Sequence, residues 1–390
     1  MMKRTKAYAA LIDMTKLTNQ LEKSPVAVYV SMYIESLGNF DQLKMSFESV
    51  EMDTYMMLSW TDKRLRHNCT EVKSFNDYAS LQQIWVPDLY FTNARNSFFH
   101  TVFAPNFAVY IEPDGTVSYS VRVTLEQACH LNLAEYPMDR QECILRILSY
   151  KHTTNEMRTV WLEHPIDYNK QVSLPEFNIG GMGACYCNGT YAYRRTMKGN
   201  FVANFSCLSA MLYLNRGLGY HIVQTYIPTG LIVGISWVSF WIDRTAVPAR
   251  ISLSFTTLLT LSTMGAGVRF AIPEVSYAKA IDYWMGCCML FVFAALLQFA
   301  FVNSLMRKSA KIDTLVGHMV KAAQNEQARM SVLGYSARAL KIDKVSRVVF
   351  PVTFLVFNVV YWLVYSDVIG DPDYAMNLKT HHCFDQAARP

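Results

Sequence analysis

Cys129 and Cys143 enclose thirteen residues, HLNLAEYPMDRQE, with Tyr136-Pro137-Met138-Asp139 at the tip of the loop that a bond between their sulfurs would close. An ordinary disulfide of a secreted domain has the same spacing. The proline and acid inside the loop, with long apolar segments downstream, favour a more specialised one. A second set lies further on: Ser252, Thr256, Leu259, Thr263 and Ala266 are four, three, four and three residues apart, the spacing of one helix face. Three of the five carry hydroxyls, which suit a wetted surface, although Ser and Thr also bond between helices in a bilayer. Leu259 sits mid-stripe, where an apolar ring would close a water-filled passage by dewetting; core packing is the plainer role. The histidines His100, His130, His152 and His381-His382 lack ligand spacing, and no nucleophile is paired with a base, so neither enzyme chemistry nor a cofactor or metal is expected.

The elements that position these residues change character near Gly219. Of the 390 residues 52% are hydrophobic and 17% charged, a balance that points to a membrane protein. The net charge of +5 is diffuse, and no basic tract marks a nucleic-acid surface. Four apolar segments follow Gly219: Tyr220–Trp241 with Pro228 inside it, Pro248–Phe270, Tyr277–Phe301 and Val348–Tyr365. A helix needs about 20 such residues to cross a hydrocarbon core about 30 Å thick. Arg244 and Arg250 flank the first connection, Arg307, Lys308 and Lys311 follow the third span, and Lys341, Lys344 and Arg347 precede the fourth. Those charges place these connections in the cytoplasm and both termini outside. The polar stretch Lys308–Arg347 reads as a solvated amphipathic helix extending into the fourth span.

Before Gly219 the pattern is β. VAVYVSMYI, FAVYIEP, TVSYSVRVTL and ECILRILSY alternate or run apolar, and turn signals such as Pro113-Asp114-Gly115 separate them. This half reads as a β-sandwich, with a short helix at Tyr8–Gln20. It holds six of the nine cysteines (Cys69, Cys129, Cys143, Cys185, Cys187, Cys207) and three glycosylation acceptors, Asn68, Asn188 and Asn204, as expected of a domain that matures in an oxidising lumen and carries N-linked glycans. The opening MMKRTKAYAALIDM lacks the apolar run of about 7–15 residues of a secretory signal and reads as a trimmed N-terminus with an added Met. The expected fold class is an extracellular β-sandwich followed by an all-α four-helix membrane bundle. The expected divisions are an N-terminal segment 1–25, the sandwich 26–218, three spans within 219–305, a cytoplasmic loop 306–346, the fourth span 347–367 and an outer tail 368–390.

The Cys129–Cys143 loop, IWVPDLYFTN at Ile84–Asn93 and VPARISLSFTTLLTLST at Val247–Thr263 closely resemble the pentameric Cys-loop receptors, over roughly residues 26 to 367 in unbroken order. The match is nearest to the glycine-, GABA- and invertebrate glutamate-gated chloride channels. The resemblance implies a plasma-membrane assembly of this chain with four further subunits, homomeric, embedded in lipid, with ligand sites between neighbouring sandwiches. Arg250, Ser252, Thr256, Leu259, Thr263 and Ala266 would then line the pore. Members with the Pro248-Ala249-Arg250 sequence at the inner mouth pass chloride, whereas cation-passing relatives carry a glutamate there. Five Arg250 side chains around an axis would give a field favouring anions; Arg250 also suits a membrane-edge anchor.

Family sites hold a box of aromatic rings whose faces attract an ammonium group. Tyr55, Tyr90, Tyr150 and Phe205 match box positions, Tyr191 and Tyr193 lie in the capping loop, and Ser120 keeps a hydroxyl of the complementary face, with Arg122 two residues on. For any one of these aromatics, packing in a strand core is the commoner fate. Amino-acid-gated relatives add an arginine and a glutamate at the places held here by Met57 and Leu148. Without that pair glycine, GABA or glutamate would leave an ionic group poorly compensated, so a quaternary or primary amine lacking a carboxylate fits better.

The resemblance also implies a disulfide closing the capping loop, for which Cys185 and Cys207 are taken, with Cys187 left open as the other partner and Cys69 for the spare thiol. It places the Tyr136-Pro137 tip over the connection Arg269–Glu274, including Pro273, and pairs Arg216 with Asp139 and Glu48 to couple ligand binding to gating. Two other functions remain in view: an anion channel gated by protons or another signal, since imidazoles titrate near neutrality, and a membrane-anchored binding receptor that conducts nothing.

Overall fold

The computed structural model describes residues 24–38, 49–172, 174–196, 199–270, 272, 274–318 and 322–370, and side chains among these except at 194–200, 313, 315–331 and 366–370. The helix expected at Tyr8–Gln20, residues 371–390 of the outer tail, Glu48 and Pro273 lie outside the described residues.

Before Arg216 the described chain is built of strands: β1 Val26–Leu37, β2 Ser49–Thr61, β3 Lys73–Phe75, β4 Leu89–Phe91, β5 Ala94–Phe99, β6 Phe107–Ile111, β7 Thr116–Ala128, β8 Arg140–Ser149, β9 Met157–Tyr168, β10 Phe177–Cys187, β11 Thr190–Thr196, β12 Gly199–Asn204 and β13 Cys207–Arg216. One sheet runs β3-β6-β7-β2-β1-β9 with β5 also on β7, a second runs β10-β13-β8-β4, and β11 and β12 form a separate ribbon. All pairings are antiparallel except β1 with β9.

The period-two alternation is what makes two sheets face one another. Along β1 the residues Val26, Val28, Val30, Met32 and Ile34 point inward, and β7 and β8 send Leu125, Leu145 and Ile147 into the same core. Each fully buried aliphatic side chain contributes about 1.5–3 kcal/mol. Trp60 and Trp85 meet edge-on in that core at 5.7 Å. The turn before β7 needs glycine: Gly115 has φ +89, and a Cβ there would lie 2.5 Å from the Asp62 carbonyl oxygen.

Four helices follow: α1 Gly219–Phe240, α2 Val247–Phe270, α3 Ala280–His318 and α4 Ala322–Gly370. All four are long and apolar enough to cross a membrane. Within α1 the turn Ile222–Tyr226 is a π-helix just before Pro228, where the missing N–H breaks the regular ladder. Helix α3 starts three residues later than the sequence suggested, because the Asp282 carboxylate accepts from the Lys279 N–H (3.1 Å) and caps its first turn. The stretch before the fourth span continues into it as one helix, α4.

The strands up to Leu131 with Arg140–Arg216 form one compact unit, and Asn132–Asp139 with the chain from Gly217 form another. In the helical unit the Trp284 indole donates to Thr229 Oγ1 (2.9 Å), the Tyr226 and Tyr361 hydroxyls meet at 2.8 Å, and Tyr361 donates to the Ala280 carbonyl (3.2 Å). Those bonds tie α1, α3 and α4 together and satisfy polar atoms that lipid could not.

Candidate functional site

Tyr90 lies on β4 opposite Leu148 of β8, and Tyr150 follows the end of β8. The two rings stand edge to face at 5.7 Å. The Asp88 carboxylate fixes this corner, accepting from Ser149 Oγ (2.6 Å) and the Lys151 N–H (2.7 Å). From the capping loop Tyr191 approaches Phe205 at 6.3 Å, and Phe205 is buried with Leu148 and Cys207, Tyr90 packing against them. The phenol of Tyr90 is raised above its ordinary value by burial, with Tyr191 and Tyr150 adding to the shift. Tyr90, Tyr150, Tyr191 and Phe205 thus form one aromatic group, and Tyr150, 79% exposed, is its open face. Gly189 permits the loop: its carbonyl accepts from the Phe205 N–H (3.0 Å), and a Cβ there would lie 1.9 Å from the Phe205 oxygen.

Other sequence candidates sit elsewhere. Tyr193 meets Phe201 edge-on at 5.7 Å, across the β11–β12 ribbon. Tyr55 and Ser120 belong to β2 and β7 of the larger sheet, facing Arg122 and Met57 in register, so one chain does not join them to the Tyr90 group. The Arg122 guanidinium lies 5.8 Å from the Tyr55 ring centroid and forks onto Asp53. His100 joins this cluster, its Nε2 2.6 Å from Thr124 Oγ1 and 3.5 Å from Asp53 Oδ1. Asp53 and Thr124 carry no motif, and only the β2–β7 register reveals them. Met57 is exposed while Leu148 is fully buried.

The capping loop is closed by Cys187 and Cys207, not by Cys185 and Cys207. The β10–β13 register sets Cys187 directly opposite Cys207 and Cys185 opposite Ser209, two rungs away. Cys69 is a free, exposed thiol, so it takes no spare partner. Cys129 and Cys143 are bonded to each other. Asn68, Asn188 and Asn204 are all exposed, and the Asn188 side chain accepts from the Thr190 N–H (3.0 Å).

Within the helical unit the Cys129–Cys143 loop tip touches Tyr277–Ile281 and α1. The Tyr277 hydroxyl accepts from the Leu133 N–H (2.9 Å), while Ala280 and Ile281 donate to the carbonyls of Ala134 and Tyr136 (2.9 and 3.1 Å). The Tyr136 ring packs edge-on against His221 at 5.2 Å. These contacts lie past Glu274; of the segment Arg269–Glu274, where the tip was expected to rest, Ala271 and Pro273 are outside the described residues. Pro137 and Asp139 belong to the same tip, with a cis Tyr136–Pro137 bond and Asp139 buried. Arg216 pairs with Glu176 (3.3 Å) over the Phe177 ring.

Helix α2 has two faces. Arg250, Ser254, Thr257, Leu261 and Gly265 are buried in the bundle. Pro248, Ala249, Ser252, Thr256, Leu259, Thr263 and Ala266 are all exposed, Leu259 by 66%. The hydroxyls of Thr256 and Thr263 donate back to the carbonyls of Ser252 and Thr260 (2.8 and 2.9 Å), the local back-bonding a helical Thr can make. Arg250, expected among the lumen residues, is instead 1% exposed. Two residues along a helix turn the side chain by about 200°, so Arg250 faces away from Ser252. Its guanidinium binds Asp343 of α4 at 2.9 Å and the Ile242 carbonyl at 3.1 Å. Asp243, the acid nearby, accepts from Thr245 Oγ1 (2.8 Å), and that bond holds its carboxyl below the usual range. Among the described residues no group of three or more His, Cys, Asp or Glu is placed to hold a metal.

Two family models match in succession: the neurotransmitter-gated ion-channel ligand binding domain over residues 11–216 and the neurotransmitter-gated ion-channel transmembrane region over residues 225–331. The glycine receptor subunit beta-type 4 of Caenorhabditis elegans is 34% identical over 410 aligned residues, covering 88% of this chain and 84% of its own. The glutamate-gated chloride channel of Drosophila melanogaster is 33% identical over 402, covering 87% and 85%.

Proposed function

The chain belongs to the neurotransmitter-gated ion-channel family, and from that premise we propose that it is one of five like subunits around an anion-conducting pore of the plasma membrane. Both termini are extracellular, glycans occupy Asn68, Asn188 and Asn204, and a small amine without a carboxylate opens the pore. The carrying observation is the exposed face of α2, which bears Ser252, Thr256, Leu259, Thr263 and Ala266 and not one acid along the whole helix. A hydroxyl there donates to a partly dehydrated anion when it turns from its own backbone carbonyl, and Leu259 from each subunit closes the passage by dewetting.

Anion preference then rests on a different source than a ring of arginines. The N-terminus of α2 is its cytoplasmic end, so the positive ends of five helix dipoles converge at Pro248 and Ala249. Arg269 at the outer end is exposed but lies 3.7 Å from the Asp282 carboxylate, which offsets its charge, so the inner end carries the preference.

For the ligand, Tyr90, Tyr150, Tyr191 and Phe205 supply ring faces to an ammonium group. Tyr55 and Ser120 of the neighbouring subunit close the box from the other side. Met57 and Leu148 supply no charge to grip a carboxylate or amino group, which favours an amine over glycine, GABA or glutamate. Binding shifts a two-state equilibrium through the Tyr136-Pro137 tip, Asp139 and Arg216.

A second reading, gating by protons, is favoured by His100 against Asp53 and by His221 against Tyr136. Expressing the chain alone in oocytes, with a panel of amines, amino acids and pH steps, separates the two. Current evoked by an amine at constant pH supports the first. Current evoked by acid alone supports the second, and current evoked only by glycine, GABA or glutamate overturns the ligand assignment.

A further inference from the structure

Arg250 and Asp343 bury opposite charges at the inner end of the bundle, with side chains only 1% and 2% exposed. Both guanidinium nitrogens reach the carboxylate, Nη2 to Oδ2 at 2.9 Å and Nη1 to Oδ1 at 3.3 Å. The amide of Gln298 on α3 donates to the same carboxylate at 2.8 Å, and the Ile242 carbonyl at the end of the first span accepts from Arg250 Nε at 3.1 Å. One carboxylate on α4 therefore gathers α2 and α3, and a carbonyl beside α1 completes the set. Charged groups within a bundle are costly to hold in lipid, so such a group is held for a role.

The geometry follows from the helix. Turned the other way, Arg250 would stand on the exposed face beside Pro248 and Ala249. Without Asp343 the cation would be buried unpaired, at a cost that favours swinging out to the wetted face. We propose that Asp343 is a positioning residue that holds the only cation of the α2 inner turn away from the ion path, so that the fourth membrane helix sets the electrostatics of the inner mouth. Gln298 orients the carboxylate for that pairing. The inference rests on reading α2 as the pore helix.

Labelling tests it without requiring conduction, so a failure here is distinguishable from a failure of the channel reading. The full chain, purified in detergent, is treated with phenylglyoxal, an arginine-selective dicarbonyl, and modified positions are read by mass spectrometry. In the unaltered protein Arg269, which is exposed, is modified and Arg250 is protected. In Asp343→Asn protection of Arg250 is lost, and its labelling rises to that of Arg269. Arg250 labelled as strongly as Arg269 before any substitution overturns the proposal, as does Arg250 still protected in Asp343→Asn. Where Asp343→Asn fails to fold, the exchange Arg250→Asp with Asp343→Arg decides. Recovery of folded protein with the arginine at 343 protected supports the pairing, and no recovery overturns it. Chloride selectivity should survive the exchange, since neither residue of the pair faces the path.

Discussion

The rings of Tyr90 and Tyr150 stand 79° apart with centroids at 5.7 Å, and Tyr150 alone of the pair is widely exposed. A ligand that uses this corner must meet the Tyr150 face. Cation–π contacts are worth about 0.5–2 kcal/mol, so Tyr150→Ala should weaken binding of tetramethylammonium or phenethylamine by about 2- to 30-fold. Tyr150→Phe, which keeps the ring, should stay close to the unaltered protein. Calorimetric titration of the purified chain measures both; equal losses in the two variants would remove the ring face from recognition.

Closing the capping loop through Cys187 predicts a specific equivalence. Cys187→Ala and Cys207→Ala should lose the same stability, about 3 kcal/mol for a loop of this size, and the double variant should lose no more. Non-reducing peptide mapping should recover a fragment joining Cys187 to Cys207. A fragment joining Cys185 to Cys207 would contradict the β10–β13 register.

Alkaline pH should act on the sandwich through Tyr119. Burial, with a smaller contribution from Tyr78, pushes its phenol from an ordinary 10.0 to about 12. The folded state thus holds the proton more tightly than the unfolded chain. Its contribution is full below the unfolded value and is lost as pH rises from about 10 to about 12, at up to roughly 1.4 kcal/mol per pH unit. Unfolding measured across that window should show a steeper loss in the unaltered protein than in Tyr119→Phe. Identical curves would deny Tyr119 the role.

If Leu259 closes the passage by dewetting, a polar side chain there should leave it wet. Leu259→Thr should therefore carry a standing current without added ligand, seen as raised resting conductance of the expressing cell. A variant that reaches the surface and stays silent until ligand is added would return Leu259 to a packing role.

Much of this was legible in the residues themselves. Alternation along β1 and β7 marks a two-sheet domain, and the apolar segments mark the four helices. What escaped depends on pairs distant in sequence. Cys185 and Cys187 are two apart and share one face of a strand, so alternation cannot choose between them; only the register with β13 does. Helix arithmetic alone sets Arg250 opposite Ser252, yet its partner Asp343 lies 93 positions away, where no local pattern points to it. The tip of the Cys129–Cys143 loop offers only backbone groups to Tyr277, Ala280 and Ile281, and those carry no signature in residue type.

Anion conduction is tested most directly by the reversal potential of the ligand-evoked current as external chloride is replaced by a large impermeant anion. With α2 free of acids and its positive helix ends at the inner mouth, the reversal potential should follow the chloride equilibrium potential and ignore sodium replacement. A reversal potential that follows sodium or potassium instead would contradict it.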